Sequence, residues 1–196
     1  MFQIRIHGRG GQGVVSASQI LSVAAFYSGH YSQSFPSFGS ERMGAPVMAF
    51  ARIDDEEIEL REPVLDPDLL IIQDATLFQA IDVFYGLKAD GRVLINSSKS
   101  IDEMGLGDRL DKLPAGHVVT VPATDLAMTH LQRPTPNTVL LGAMTAMFDL
   151  FQMESVEKAI RDKFPGKVAD MNVKAARAAA ESVRQSTKGE QLVTAD

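Results

Sequence analysis

Residues 4–14 read Ile-Arg-Ile-His-Gly-Arg-Gly-Gly-Gln-Gly-Val. The alternation at the front predicts a strand. Four glycines follow within six positions, and the run Ser16 to Phe26 then turns helical. A strand, a glycine loop and a helix in that order can present bare backbone N–H groups to an anion at the positive end of a helix dipole. Gly8, Gly10 and Gly13 satisfy the spacing G-x-G-x-x-G, with Gly11 and Gln12 between them. Three readings are open. The glycines only shape a turn and let the helix pack on the strand, or the loop meets an anion or a protein partner, or the unit is a self-contained NAD(P) or flavin site. The last reading needs an acid about 20 residues further on for the ribose hydroxyls. The segment Gly29 to Phe35 has no Asp or Glu, and Glu41 lies on a Gly/Pro-rich stretch beyond it.

Outward from this unit, further strands are predicted at Val47–Ile53, Glu57–Leu60, Leu69–Gln73, Arg92–Asn96 and His117–Pro122. Leu69 to Ile72 and Val93 to Ile95 are continuous apolar runs, as strands buried on both faces of a mostly parallel sheet require. Asp54-Asp55 reads as the turn of a hairpin joining Val47–Ile53 to Glu57–Leu60. Helices are predicted at Gly13–Tyr27, Thr76–Tyr85, Thr138–Phe151, Ser155–Phe164 and Val168–Gln185, with a short turn from Asp125 to His130. The fold class is α/β. It is a single doubly wound Rossmann-like domain over residues 1–185, with a mostly parallel mixed sheet, a β-hairpin and a helical C-terminal third. Residues 186–196 read as a flexible polar tail.

Composition narrows the function. The 196 residues carry a net charge of −6 and no cysteine. The acidic balance argues against nucleic acid as the main partner. A chain without cysteine supplies no thiolate zinc site and no cysteine-ligated iron–sulfur cluster. No apolar run reaches the length of a membrane span, and glycines follow Ile6 too soon for a signal peptide. A cytoplasmic location is expected. His7, His30, His117 and His130 show no metal spacing, and no Gly-x-Ser-x-Gly elbow points to a hydrolase. Leu140, Leu141, Met144 and Met147 make a stripe that is either core or subunit-facing. Ser16 and Ser18 lie in the first helix turns, within reach of a phosphate.

Residues 35–54 read Phe-Pro-Ser-Phe-Gly-Ser-Glu-Arg-Met-Gly-Ala-Pro-Val-Met-Ala-Phe-Ala-Arg-Ile-Asp. Two prolines and two glycines break regular structure from Pro36 to Pro46. Phe35, Phe38 and Arg42 give this loop the composition of a protein contact or ligand clamp. With Gly-x-Gly-Gly-Gln-Gly ahead of it, the chain resembles the gamma subunit of pyruvate/2-ketoisovalerate:ferredoxin oxidoreductases. These are thiamine-diphosphate enzymes of the 2-oxoacid:acceptor oxidoreductase family. The likeness continues at Pro67-Asp68, at Asn137 ahead of Gly142, and at Asn172. Met43 is a departure, where a second arginine is expected.

The resemblance implies one non-catalytic-centre subunit of a multi-subunit oxidoreductase. The complex would oxidatively decarboxylate a 2-oxoacid such as pyruvate to an acyl-CoA and pass electrons to ferredoxin. Its thiamine diphosphate, magnesium and iron–sulfur clusters would sit on or between alpha-, beta- and delta-type subunits. Gly8, Gly10, Gly11, Gln12, Gly13 and Arg42 would face coenzyme A or a partner subunit. No catalytic residue and no metal ligand is expected on this chain. Alternatives are the subunit of an aryl-2-oxoacid (phenylglyoxylate or indolepyruvate) oxidoreductase and a free-standing NAD(P) or flavin protein.

Overall fold

A computed structural model describes residues 1–37, 43–150 and 152–193, with side chains as far as Ser186. Its strands are β1 (Phe2–Arg9), β2 (Tyr31–Pro36), β3 (Pro46–Asp54), β4 (Leu69–Ile72), β5 (Arg92–Asn96) and β6 (Val118–Val121). They form one sheet in the order β2-β3-β1-β4-β5-β6. β4, β5 and β6 run parallel to β1, whereas β3 runs antiparallel to both β1 and β2. The sheet is therefore mixed and mostly parallel. The helices are α1 (Val14–Tyr27), α2 (Gly107–Leu110), α3 (Ala123–Leu131), α4 (Asn137–Met144), α5 (Met153–Lys163) and α6 (Gly166–Val193).

The apolar runs of β4 and β5 serve two cores. Leu69, Ile71 and Leu94 join Ile4, Ile6 and the inward faces of α1 and α3 to α6. Leu70, Ile72, Val93 and Ile95 point the other way, onto Leu77, Val83, Leu106 and Leu110. Burial on both faces explains why these strands show no polar alternation. All eight residues of α4 are buried, so the stripe from Leu140 to Met147 is core and not subunit-facing. A Cβ on Gly142 would lie 2.1 Å from the carbonyl oxygen of Ala176. Only glycine lets α4 approach α6 so closely.

The second face carries little helix and is held by two buried arginines. The Arg5 guanidinium donates to the carbonyls of Val64, Leu65, Val83 and Tyr85. Arg52 donates to those of Glu62 and Pro63. Both side chains thus replace a ladder partner for irregular segments whose backbone would otherwise be buried unpaired. Arg5 Nε also donates to His7 Nε2, 3.1 Å away.

Three expectations need correction. The hairpin after Asp54 does not form, because both edges of β3 are already taken by β1 and β2. The alternating residues 57–60 are left without a partner strand, and the hairpin in the sheet is β2 with β3. β2 escapes a reading from sequence because Tyr-Ser-Gln-Ser-Phe-Pro lacks an apolar face, and its pairing with β3 forms it. The helix expected from Thr76 to Tyr85 is a 3₁₀ turn over Ala75–Gln79. The helix expected to reach Phe151 stops at Met144, three residues before Arg92 takes the carbonyl of Met147. Phe151 itself lies outside the described residues. At the C-terminus α6 continues to Val193.

His7 supplies a pH test of this architecture. Burial, reinforced by the Arg5 charge, lowers its pKa from 6.5 to about 3. The unfolded chain takes up a proton near the ordinary value, and the folded chain resists it. This contribution to stability is complete above pH 6.5 and is lost as pH falls toward 3. Wild-type unfolding free energy should fall between pH 6 and 4 by up to about 1.4 kcal/mol per pH unit more than that of a His7→Gln variant. Parallel pH profiles in urea titrations would show that His7 is not held neutral.

Candidate functional site

β1 delivers the glycine loop to the carboxyl end of the sheet. Beyond β1, α1 covers one face, while the segment after β4 covers the other. The crevice outside the ends of β1 and β4 is thus the switch point at which open α/β sheets bind ligands. Each glycine has a distinct duty there. At Gly8 a Cβ would meet Val14 Cγ2 at 2.6 Å, so Gly8 lets α1 turn tightly over the strand. Gly11 and Gly13 adopt left-handed backbone, φ 94° and 75°. A Cβ on Gly13 would also lie 2.4 Å from Asn137 Nδ2 at the start of α4. Gly10 needs no positive φ and instead makes a cross-link. Its N–H donates to Ala45 O at 2.9 Å, and its carbonyl accepts from Gly44 N at 3.1 Å.

That cross-link joins the two sequence motifs. β3 pairs antiparallel with β1, so Arg9 faces Pro46 and Gly8 faces Val47. Met43 bridges to Gly10. Its side chain is 87 % exposed, and its sulfur would lie 3.0 Å from a Cβ on Gly11. Gly8, Gly10, Gly11, Gln12 and Gly13 are therefore brought together with residues 43–47. Arg42 lies outside the described residues.

Gln12 does not point outward as a ligand contact would. Its Oε1 accepts from Arg9 N at 2.8 Å, and its Nε2 donates to Asp74 Oδ2 at 2.7 Å. Asp74 also accepts from the N–H and hydroxyl of Thr76, at 3.0 and 2.6 Å. Arg9 donates to Thr76 Oγ1 through Nε and Nη2, and to Gly44 O through Nη1 at 2.9 Å. Its Nε is 3.4 Å from Asp74 Oδ2. Burial opposes ionisation of Asp74, but hydrogen bonds from Thr76 and Gln12 and the Arg9 charge prevail and lower its pKa below the ordinary carboxylate range. Asp74 and Thr76 were not singled out from sequence. The available signal was an Asp-x-Thr cap directly after a buried strand.

The loop retains an anion-compatible side. No side chain among the described residues caps α1. Its first turn opens on a shallow depression of about 280 Å³ lined by Arg9, Gly10, Gly11, Gly13, Val14 and Ser16. Ser18 is not part of it, since it is buried and donates to Val15 O. His7 lies on the opposite face, with Arg5 as its partner. Among the described residues no three His, Asp or Glu side chains converge as metal ligands would. No helix there is long and apolar enough to cross a membrane.

A dinucleotide does not fit this geometry. The acid that would hold the ribose belongs at the end of the strand after α1, next to the glycine loop. Here that strand is β2, and β3 separates it from β1. Two strand spacings, about 9–10 Å, lie between them, and β2 ends in Phe35-Pro36 without an acid. Fold and site together define a Rossmann-like domain whose glycine loop is tied to a second loop.

Comparison with known proteins gives the family. The family model for pyruvate ferredoxin/flavodoxin oxidoreductase matches residues 3–182. The chain belongs to that family. It is 49 % identical to the pyruvate synthase subunit PorC of Methanocaldococcus jannaschii, over 91 % of this chain and 95 % of that one. It is 45 % identical to the pyruvate/ketoisovalerate oxidoreductases common subunit gamma of Pyrococcus abyssi, over 94 % and 98 %. The crystal structure of the pyruvate oxidoreductase subunit PORC of Thermotoga maritima superposes with a TM-score of 0.76 at 38 % identity, covering 92 % of this chain and 95 % of that one. The chain is thus a gamma-type oxidoreductase subunit.

The steric account separates two glycines. Gly13 and Gly44 share positive φ, 75° and 79°, but only Gly13 has a neighbour within 4 Å of a built Cβ. Gly44→Ala should cost about 1 kcal/mol from backbone alone, and Gly13→Ala about 3 kcal/mol once Asn137 is displaced. Equal losses in chemical denaturation would contradict the contact with α4.

Proposed function

We propose that this chain serves a thiamine-diphosphate 2-oxoacid:ferredoxin oxidoreductase by docking to its other subunits through the joined loops, with coenzyme A bound alongside. The observation that carries this reading is the cross-link of Gly10 to Gly44 and Ala45. It makes one surface of the two most characteristic stretches of the sequence. The partners are alpha-, beta- and delta-type subunits, which hold the thiamine diphosphate, magnesium and iron–sulfur clusters. The substrate is a 2-oxoacid such as pyruvate, the electron acceptor is ferredoxin or a similar protein, and the setting is the cytoplasm. A chain with no cysteine is suited to that division of labour.

Coenzyme A, when bound, supplies the thiol that carries away the acyl group. The residues of this chain suit its anionic end. The N-terminus of α1, which no side chain caps, borders the depression at Gly10, Gly11 and Gly13 and favours negative charge. Ser16 contributes a hydroxyl at its rim. Arg42, which lies outside the described residues, is by residue type a forked cation suited to phosphate or carboxylate.

Reconstitution tests this reading. The chain alone should not oxidise any 2-oxoacid. Combined with its partner subunits it should give a complex that reduces a viologen dye on addition of pyruvate and coenzyme A. Turnover by the isolated chain would contradict the assignment. In the complex, Arg42→Ala should remove a contact of about 1.5–3 kcal/mol, a tenfold to hundredfold effect. A raised coenzyme A KM in an intact complex identifies a ligand contact. Dissociation at salt concentrations that wild type survives identifies a partner contact. Values within twofold of wild type for both would remove Arg42 from the site.

A further inference from the structure

We propose that Asp74 and Thr76 are positioning residues that preset the docking surface before any partner arrives. This inference rests on the docking role proposed above. Arg9, Gln12, Asp74 and Thr76 close a ring across the crevice, with Arg9 contributing both its backbone N–H and its side chain. Arg9 N donates to Gln12 Oε1, and Gln12 Nε2 donates to Asp74 Oδ2. The Thr76 hydroxyl donates to Asp74 Oδ1, and its lone pairs accept from Arg9 Nε and Nη2. Arg9 then spends its remaining arm on the carbonyl of Gly44.

The order of donors matters. A hydroxyl has one hydrogen, so it can receive both Arg9 donors only while its own proton points elsewhere. The Asp74 carboxylate accepts the hydrogen bond from that hydroxyl, and through its other oxygen it accepts one from the Gln12 amide. Asp74 therefore fixes the polarity of the whole ring while touching neither Gly10 nor Gly44. Its effect reaches them through Arg9. With Gly44 held, the short ladder of Gly10 with Gly44 and Ala45 closes, and the exposed Met43 rests over Gly11. An apolar side chain is thereby displayed at a fixed place on the loop surface. Ordering it beforehand lowers the entropic cost of association.

The choice of residues supports a positioning role over mere packing. Arg9 and Asp74 are half-buried and Thr76 is exposed, so burial does not hold them. What holds them is mutual hydrogen bonding and one ion pair. Asp74→Asn keeps the shape but turns one oxygen into a donor, which then confronts Gln12 or Arg9. Thr76→Val keeps the volume and deletes the hydroxyl, whereas Thr76→Ser keeps the hydroxyl and deletes only a methyl.

The test reads amide hydrogen exchange in the full chain and its assembly with partner subunits. Asp74→Asn and Thr76→Val should raise exchange at Gly10 and Gly44 about tenfold or more. Core amides such as Ile6 and Ile71 should keep their wild-type protection. Both variants should assemble about tenfold more weakly, yet saturating partner and coenzyme A should restore wild-type kcat, because a positioning role acts on assembly and not on the chemical step. Thr76→Ser should match wild type throughout, which a packing role for the methyl would not allow. If Asp74→Asn fails to fold, Thr76→Val carries the test alone. Unchanged exchange at Gly10 and Gly44 would overturn the inference, as would faster exchange with assembly inside twofold of wild type. Failure of the wild-type chain to assemble at all would instead overturn the docking role, and this inference with it.

Discussion

The site follows from one strand running against its neighbours. Because β3 is antiparallel to β1, the start of β3 lies beside the end of β1. The loop that precedes β3 is thereby delivered onto the glycine loop that follows β1. A parallel strand in that place would have carried residues 43–47 to the opposite end of the sheet. The same insertion moves β2 away from β1 and so removes the position from which a ribose would be gripped. One topological choice thus both builds the two-loop surface and dismantles a dinucleotide site.

Much of this was legible in the sequence, and the gaps have physical causes. The buried parallel strands announced themselves as unbroken apolar runs, and the glycine loop as a strand-to-helix junction. β2 was invisible because Ser32, Gln33 and Ser34 have little intrinsic preference for a strand, which β3 imposes on them. Residues 57–60 failed in the opposite sense, since their alternation is real but no free edge exists to receive it. Gly142 and Asn172, which marked the family likeness, prove to be packing devices. The first admits the backbone of Ala176, and the second accepts from the buried hydroxyl of Thr138. The functional ring was only half visible. Gln12 sits in the glycine motif, but Asp74 and Thr76 reach it only through the parallel pairing of β4 with β1, which no local pattern encodes.

Two kinds of arginine divide the work in this sheet. Arg5 and Arg52 are buried and satisfy carbonyls of irregular segments, so they stand in for missing secondary structure. Arg9 is half-buried, shares a carboxylate, and spends its fork on joining two loops. The first kind holds irregular segments onto the sheet, and the second holds two loops together.

The central claim is that the glycine loop belongs to an outward protein surface and not to an NAD(P) or flavin cleft. Calorimetric titration of the isolated chain with NADH, NADPH and FAD tests it most directly. The account predicts no saturable binding of any of the three up to millimolar concentration. Stoichiometric binding with a micromolar Kd that is abolished by Gly11→Val would contradict it.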